Sequence, residues 1–283
     1  VALMDARSIA ATAANGGRLT PATEAHYTKR VKKYFFDSEI YEKRVYHGAG
    51  RADRDAELVY GPNIADWPEM IPLGKNLLIK AVSVIHDPVT TTDELIPSGE
   101  TSSYRSNPLK LAEFALSRKD PAYVGRAKEV KAAEEIRRET GSLPESVLKD
   151  LKDIRLGEGT IYGSCVVANK PGDGSAREQA ASCQRVLGGI ANIAKEYATK
   201  RYRSNLINWG MLPFTAEKLN FKVGDYIYIE NIDKYIADGA EKIPAKHITK
   251  HEAKDIVLSV GSLTPDEKSI ILKGCLINFN AAK

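Results

Sequence analysis

Two glycines, a hydroxyl and an arginine stand together in Gly172-Asp173-Gly174-Ser175-Ala176-Arg177-Glu178-Gln179, and that combination suits an anion. Glycines let the backbone approach a ligand closely. The first-turn amides of a helix carry about half a positive charge, so a carboxylate or phosphate placed there is stabilised. Ser175 would add a hydroxyl, and Arg177 a two-pronged guanidinium, to the same pocket. A structural reading stands beside the chemical one. Ser175-Ala176-Arg177-Glu178 also fits a capping box, with Ser175 as N-cap and Glu178 reaching back. The two are compatible, because an N-cap hydroxyl lies in the field that would stabilise its alkoxide.

The elements needed to hold this turn are legible on both sides. Gly163-Ser164-Cys165-Val166-Val167-Ala168 reads as a buried strand, and Ala180 to Leu187 as a helix stopped by Gly188-Gly189. Upstream, Asn76 to His86 reads as a strand leading into a Thr90-Thr91-Thr92-Asp93 loop. Leu109 to Ser117, Tyr123 to Thr140 and Leu143 to Ile154 read as helices. The middle one is dense in Glu and Lys and so largely solvated, and the insert carries no evident chemistry. Downstream, Gly189 to Tyr197 is expected as a strand, Thr199 to Asn208 as a helix, Asp225 to Asn231 and Asp255 to Val260 as strands, and Thr264 to Lys273 as a helix. Strands mixed with helices, and a ligand loop at the end of a strand, indicate an α/β layer structure.

Several of these segments together resemble the C-terminal swivel domain of the aconitase family. The likeness runs through Gly172 to Arg177, Ala180-Ala181, Arg185-Val186-Leu187-Gly188-Gly189, Arg203-Ser204-Asn205-Leu206 and Gly210-Met211-Leu212-Pro213, in order and in spacing. A second segment, Thr92-Asp93 and Ile96-Pro97-Ser98-Gly99 followed by Tyr104-Arg105, resembles another stretch of the same domain. Ser102 to Leu109, Leu263 to Glu267 and Leu276 to Phe279 are most similar to uncharacterised aconitase-like hydratases. The resemblance covers residues 75–283 well and the first twenty residues less fully. It implies the swivelling β/β/α fold of the aconitase and isopropylmalate isomerase type over 75–283. Residues 1–74 would be the end of a preceding catalytic domain, an N-terminal helical arm and a linker, with a hinge in the Gly- and Pro-rich stretch 48–74.

What the resemblance implies for chemistry is a hydro-lyase that dehydrates and rehydrates a small polycarboxylic hydroxy acid. Ser175, as alkoxide, would be the base; Arg105 and Arg177 would bind carboxylates, with Gly174 and Ala176 beside the substrate; Asp93 would orient one of the arginines or a proton path. Ala176 and Gln179 stand where aconitases proper have a serine and a histidine, so citrate and isocitrate become doubtful substrates while the reaction type is less affected. The family's iron-sulfur cluster is held by cysteines in preceding domains, so its ligands would lie outside this chain and the fragment alone would bind no cofactor and be inactive. The partners implied are the polycarboxylate and the N-terminal aconitase-like domains of the same protein.

Composition sets the remaining limits. The chain has 283 residues, 43% hydrophobic, enough for a substantial core. A net charge of +4 is small against 41 basic and 37 acidic residues, which speaks against nucleic acid as a partner. A basic and aromatic patch at Lys29, Arg30, Lys32, Lys33, Tyr34, Phe35 and Phe36 keeps an RNA-binding regulator as a second reading, and a catalytically silent acid-binding module as a third. No run approaches the roughly 18 apolar residues of a membrane span. Asp5 and Arg7 interrupt the apolar start, which does not suit a secretory signal, and the initial valine suggests a piece of a longer polypeptide. Cys165, Cys183 and Cys275 lack any C-x-x-C spacing and suit core packing in a reducing cytoplasm. His26, His47, His86, His247 and His251 are too dispersed for a metal site, and the pair His247 and His251 reads as surface histidines.

Overall fold

The computed structural model describes residues 3–24, 35–44, 47–151 and 154–282. It divides into two compact units, Val1–Leu58 and Val59–Lys283. The first holds helix α1, Ala6–Ala14, capped by Asp5, whose carboxylate accepts from the amides of Arg7 and Ser8. It also holds a short α2, Glu39–Arg44. Lys29, Arg30, Lys32, Lys33, Tyr34 and His26 lie outside the described residues, while Phe35 and Phe36 are exposed.

The second unit is built on a closed barrel of seven strands. Its strands are β1 (Asn76–Ile85), β3 (Thr160–Ala168), β5 (Gly189–Ala194), β6 (Leu212–Thr215), β7 (Tyr226–Ile229), β8 (Lys242–Ile248) and β9 (Ala253–Ser259), in the order β1-β3-β5-β6-β9-β8-β7. A two-stranded ribbon of β2 (Thr90–Thr91) and β4 (Pro171–Asp173) stands apart from it. The first four barrel strands run parallel and need crossovers, which the chain supplies as helices. These are α3 (Thr92–Leu95), α4 (Pro108–Ala112), α5 (Tyr123–Thr140) and α6 (Glu145–Asp150) between β1 and β3. Next come α7 (Arg177–Val186) before β5 and α8 (Lys200–Asn208) before β6. The rest is antiparallel, with α9 (Ile232–Asp238), α10 (Pro265–Lys273) and α11 (Leu276–Ala281) outside.

Strands covered on both faces read as continuous apolar runs, and alternate residues feed two cores. Leu77, Ile79, Ala81, Cys165, Val167, Ile193 and Phe214 fill the barrel. Leu78, Val82, Tyr162 and Val166 face outward beneath Tyr123, Ala127, Val130, Ala180, Ala181 and Tyr202. All three cysteines are free and buried, and burial pushes the Cys165 and Cys183 thiols up. The mixed α/β class expected from the sequence is what the chain forms.

Several local expectations are corrected. Helix α5 is solvated over most of its surface, as expected, but Tyr123, Ala127, Val130 and Ala133 are buried along one face. Glu134, 6% exposed, is buried as well, accepting two bonds from Arg137 and one from the Tyr162 amide. The helix expected over Leu109 to Ser117 ends at Ala112, where the bonding tightens to i→i+3 turns (the Phe114 amide to Leu111 O at 3.1 Å, the Ala115 amide to Ala112 O at 3.0 Å) before Leu116 turns left-handed at φ 53°. His247 is not a surface residue; its Nε2 lies 2.8 Å from Asp225 Oδ2, and both side chains are about nine-tenths covered.

Candidate functional site

The ribbon brings the two motif segments together. Thr90 pairs with Pro171 and Thr91 with Asp173, so the loop entering α3 lies beside the glycine turn although about eighty positions separate them in sequence. Gly174, φ +132°, sits against the start of α3 so tightly that a Cβ there would overlap the Thr92 hydroxyl. Gly172, φ +95°, is pressed as closely on the Tyr202 ring. Only glycine satisfies both the backbone angles and the approach. The start of α8 is tied to the same turn, through the Ala198 amide to Pro171 O at 3.0 Å and Thr199 Oγ1 to Gly172 O at 3.4 Å.

Two candidate residues thereby meet. Ser175, exposed, and Arg177, half-buried, line a shallow cavity of about 330 Å³ with Glu178, Lys200, Arg201, Ser204 and Asn205. Two helix starts, those of the ten-residue α7 and the nine-residue α8, open onto it. Arg177 Nε is buried without a hydrogen-bond partner, so part of the guanidinium's donor capacity is unspent. Lys200 and Arg201 occupy the first turn of α8, where the macrodipole disfavours cations by about 0.3–1 kcal/mol each. Cations held against that gradient fit a place where an anion binds. That inversion is visible in Thr199-Lys200-Arg201, and the sequence reading passed over it.

The capping box at Ser175 is corrected. Helix α7 begins at Arg177 with Ala176 as N-cap and no side-chain cap, and Ser175 caps nothing. Glu178, which would have reached back, accepts instead from the Trp209 indole at 3.1 Å. Ser175 keeps an uncommitted hydroxyl facing the cavity.

Asp93 and Arg105 are placed differently from expectation. Asp93 does not orient Arg105 or Arg177: its Oδ2 takes Arg118 Nη1 at 2.6 Å, and Arg118 also pairs with Glu100. Arg118 was not singled out, since sequence spacing gives no sign that a residue 25 positions on would claim the aspartate. Arg105 is exposed, bonded only weakly to Ser98 O at 3.4 Å, and neither it nor Asp93 lines the cavity. Nearby, Glu94 closes a capping box with Thr91, whose amide hydrogen bond, helped by Lys119, holds its carboxyl below the usual range.

The residues present do not fit an iron-sulfur cluster. Cys165, Cys183 and Cys275 sit on β3, on α7 and at the start of α11, each buried in packing. Among the described residues no group of three or more His, Cys, Asp or Glu could hold a metal ion, and no helix is long and apolar enough to cross a membrane.

Residues 147–219, which include the glycine turn, α7 and α8, match the family model for the aconitase C-terminal domain. A protein of Emericella nidulans described as "Putative aconitate hydratase, mitochondrial" is 33% identical over 112 residues, 38% of this chain and 14% of that protein. One of Aspergillus fumigatus with the same description is 28% identical over 123 residues, 42% of this chain and 15% of that protein. The chain thus spans about one seventh of the length of the curated relatives it matches. A crystal structure of 3-isopropylmalate dehydratase from Methanocaldococcus jannaschii overlays with a TM-score of 0.44 and 22% identity, covering 72% of this chain and 94% of that one.

Proposed function

For this chain, whose residues 147–219 match the aconitase C-terminal domain, we propose the base-bearing and carboxylate-binding side of a hydro-lyase site for a small polycarboxylic hydroxy acid. The observation that carries this reading is the cavity in which Ser175, free of any capping duty, shares walls with Arg177, Lys200 and Arg201 at two helix starts. Carboxylates of the substrate would occupy the guanidinium forks and first-turn amides. Ser175 would then take the proton from the carbon next to a carboxylate. A serine hydroxyl is a weak acid in water, so its anion needs the positive potential that these cations and the α7 start supply.

Only proton transfer and carboxylate binding are assigned to residues of this chain. An iron-sulfur cofactor would draw its ligands from elsewhere, and N-terminal aconitase-like domains would complete the pocket. The isolated chain would therefore fold and bind polycarboxylates weakly without turning them over. Arg105 would join the site by movement of its exposed loop, and Gly174 and Ala176 would contribute backbone rather than side chains. A reducing, cytoplasmic location is proposed on the three free cysteines.

Titration of the chain with tricarballylate, followed by amide NMR, tests this reading. Saturable shifts at residues 174–178 and 199–201, reduced in Arg177→Gln, are expected. A flat response there, with shifts elsewhere or nowhere, overturns it.

A further inference from the structure

The stretch 65–73, read from the sequence as part of a linker, belongs to the second unit and is tied to the segments that flank the candidate site. The Ala65 amide donates to Ser106 O at 3.0 Å, one residue beyond Arg105. Trp67 lies against Trp209 with ring centroids 4.3 Å apart and the ring planes tilted by 40°. Trp209 passes that contact on, since its indole donates to Glu178 in the first turn of α7. At the other end of the same helix, Arg185 Nη2 donates to Ile71 O at 2.7 Å and reaches Gly274 O at 3.3 Å, while Nη1 reaches Gly189 O at 3.4 Å. Asn278 adds a bond to Met70 O at 2.8 Å.

Two features set this apart from ordinary packing. Arg185 is 6% exposed, and burial pushes its guanidinium down to about 10. Its bonded acceptors are carbonyls from three separate segments, so the cost of burying the cation is offset only while those segments stay in register. The second is that the tryptophan meeting Trp67 is itself hydrogen-bonded to Glu178, so an aromatic pair worth about 0.5–1.5 kcal/mol beyond its buried area is tied to α7. Residues 67 and 71 thus reach the two ends of the helix at whose start Ser175 and Arg177 stand.

We propose that residues 65–71 are a positioning strap, with Trp67 acting through Trp209 and Glu178 on the first turn of α7, and Ile71 acting through Arg185 on its last. In consequence Trp67 is a positioning residue for the anion cavity, although it does not line it. The part concerning substrate rests on the functional reading above; the part concerning α7 does not.

Site-resolved hydrogen exchange on the chain separates these. In Trp67→Ala, exchange at the Ala180 and Ala181 amides should rise about tenfold while β1 and β3 keep their protection, and Trp67→Phe should restore the original rate. Tricarballylate affinity should fall in parallel. Glu178→Ala cuts the same relay while keeping both tryptophan rings, is expected to give the same local pattern, and serves if Trp67→Ala does not fold. Unchanged exchange at Ala180 and Ala181, or an equal rise over α7 and the barrel together, would overturn the strap. Failure of the unaltered chain to bind tricarballylate would instead refute the functional reading, and the exchange data would still decide the strap.

Discussion

Gly174 packs against Thr92 with no room for a Cβ, which holds the turn before α7 against the start of α3, about eighty positions away in sequence. Its φ of +132° also lies where an L residue is strained. Gly174→Ala should therefore cost about 1–3 kcal/mol and separate α3 from the turn. Urea denaturation of the variant beside the unaltered chain gives the number, and a loss below the usual scatter of surface substitutions would show that the contact yields easily.

Ser175→Ala should leave stability within about 0.5 kcal/mol, as for a surface change, because Ser175 caps no helix. A lost N-cap would cost about 1 kcal/mol. Thermal melting of the variant distinguishes these two values.

Arg177→Lys should weaken polycarboxylate binding by about tenfold, one point charge replacing a fork. Lys200→Gln and Arg201→Gln should each weaken it less and reduce its salt dependence. Calorimetric titration at two ionic strengths is the check; an Arg177→Lys chain that binds as well as the original would show that the fork is not used.

Glu94 is held below its ordinary value of 4.5, chiefly by the Thr91 amide bond, and Lys119 beside it is held above 10.5, chiefly by its bond to Asp87. A carboxyl with a depressed folded-state pKa contributes stability that is complete above its unfolded value and lost as pH falls through the folded one. Stability should therefore decline below about pH 4.5, and Glu94→Gln should flatten that acid limb while lowering the plateau. Denaturation midpoints between pH 3 and 7 test the slope.

Much of the site was legible because its markers are local. The strand over Asn76, the turn at Gly172 and Gly174, and α5 from Tyr123 to Thr140 follow from apolar runs and glycines acting over a few residues. The Ser175 capping pattern misled because Glu178 had a competing donor, Trp209, visible only in three dimensions. True boxes formed at Thr91 and Glu94 and at Thr264 and Glu267, where the competing cations Lys119 and Arg203 approach one carboxylate oxygen and leave the other to reach back. Strand β8 went unread although Ile243, Ala245 and Ile248 are buried at near-alternate positions; Pro244 and its lysines masked the period. The Arg118 claim on Asp93, the Asp225 claim on His247 and the Arg185 carbonyl clasp are tertiary pairings that no spacing rule encodes.

The most direct measurement is steady-state kinetics of the full-length protein that carries this chain, with and without Ser175→Ala, on a series of small polycarboxylic hydroxy acids. If Ser175 is the base, the substitution should lower kcat by a factor of about 10² to 10⁴ while KM changes little, because the interaction it removes develops only in the transition state. A Ser175→Ala enzyme that dehydrates these acids at the original rate would contradict the assignment.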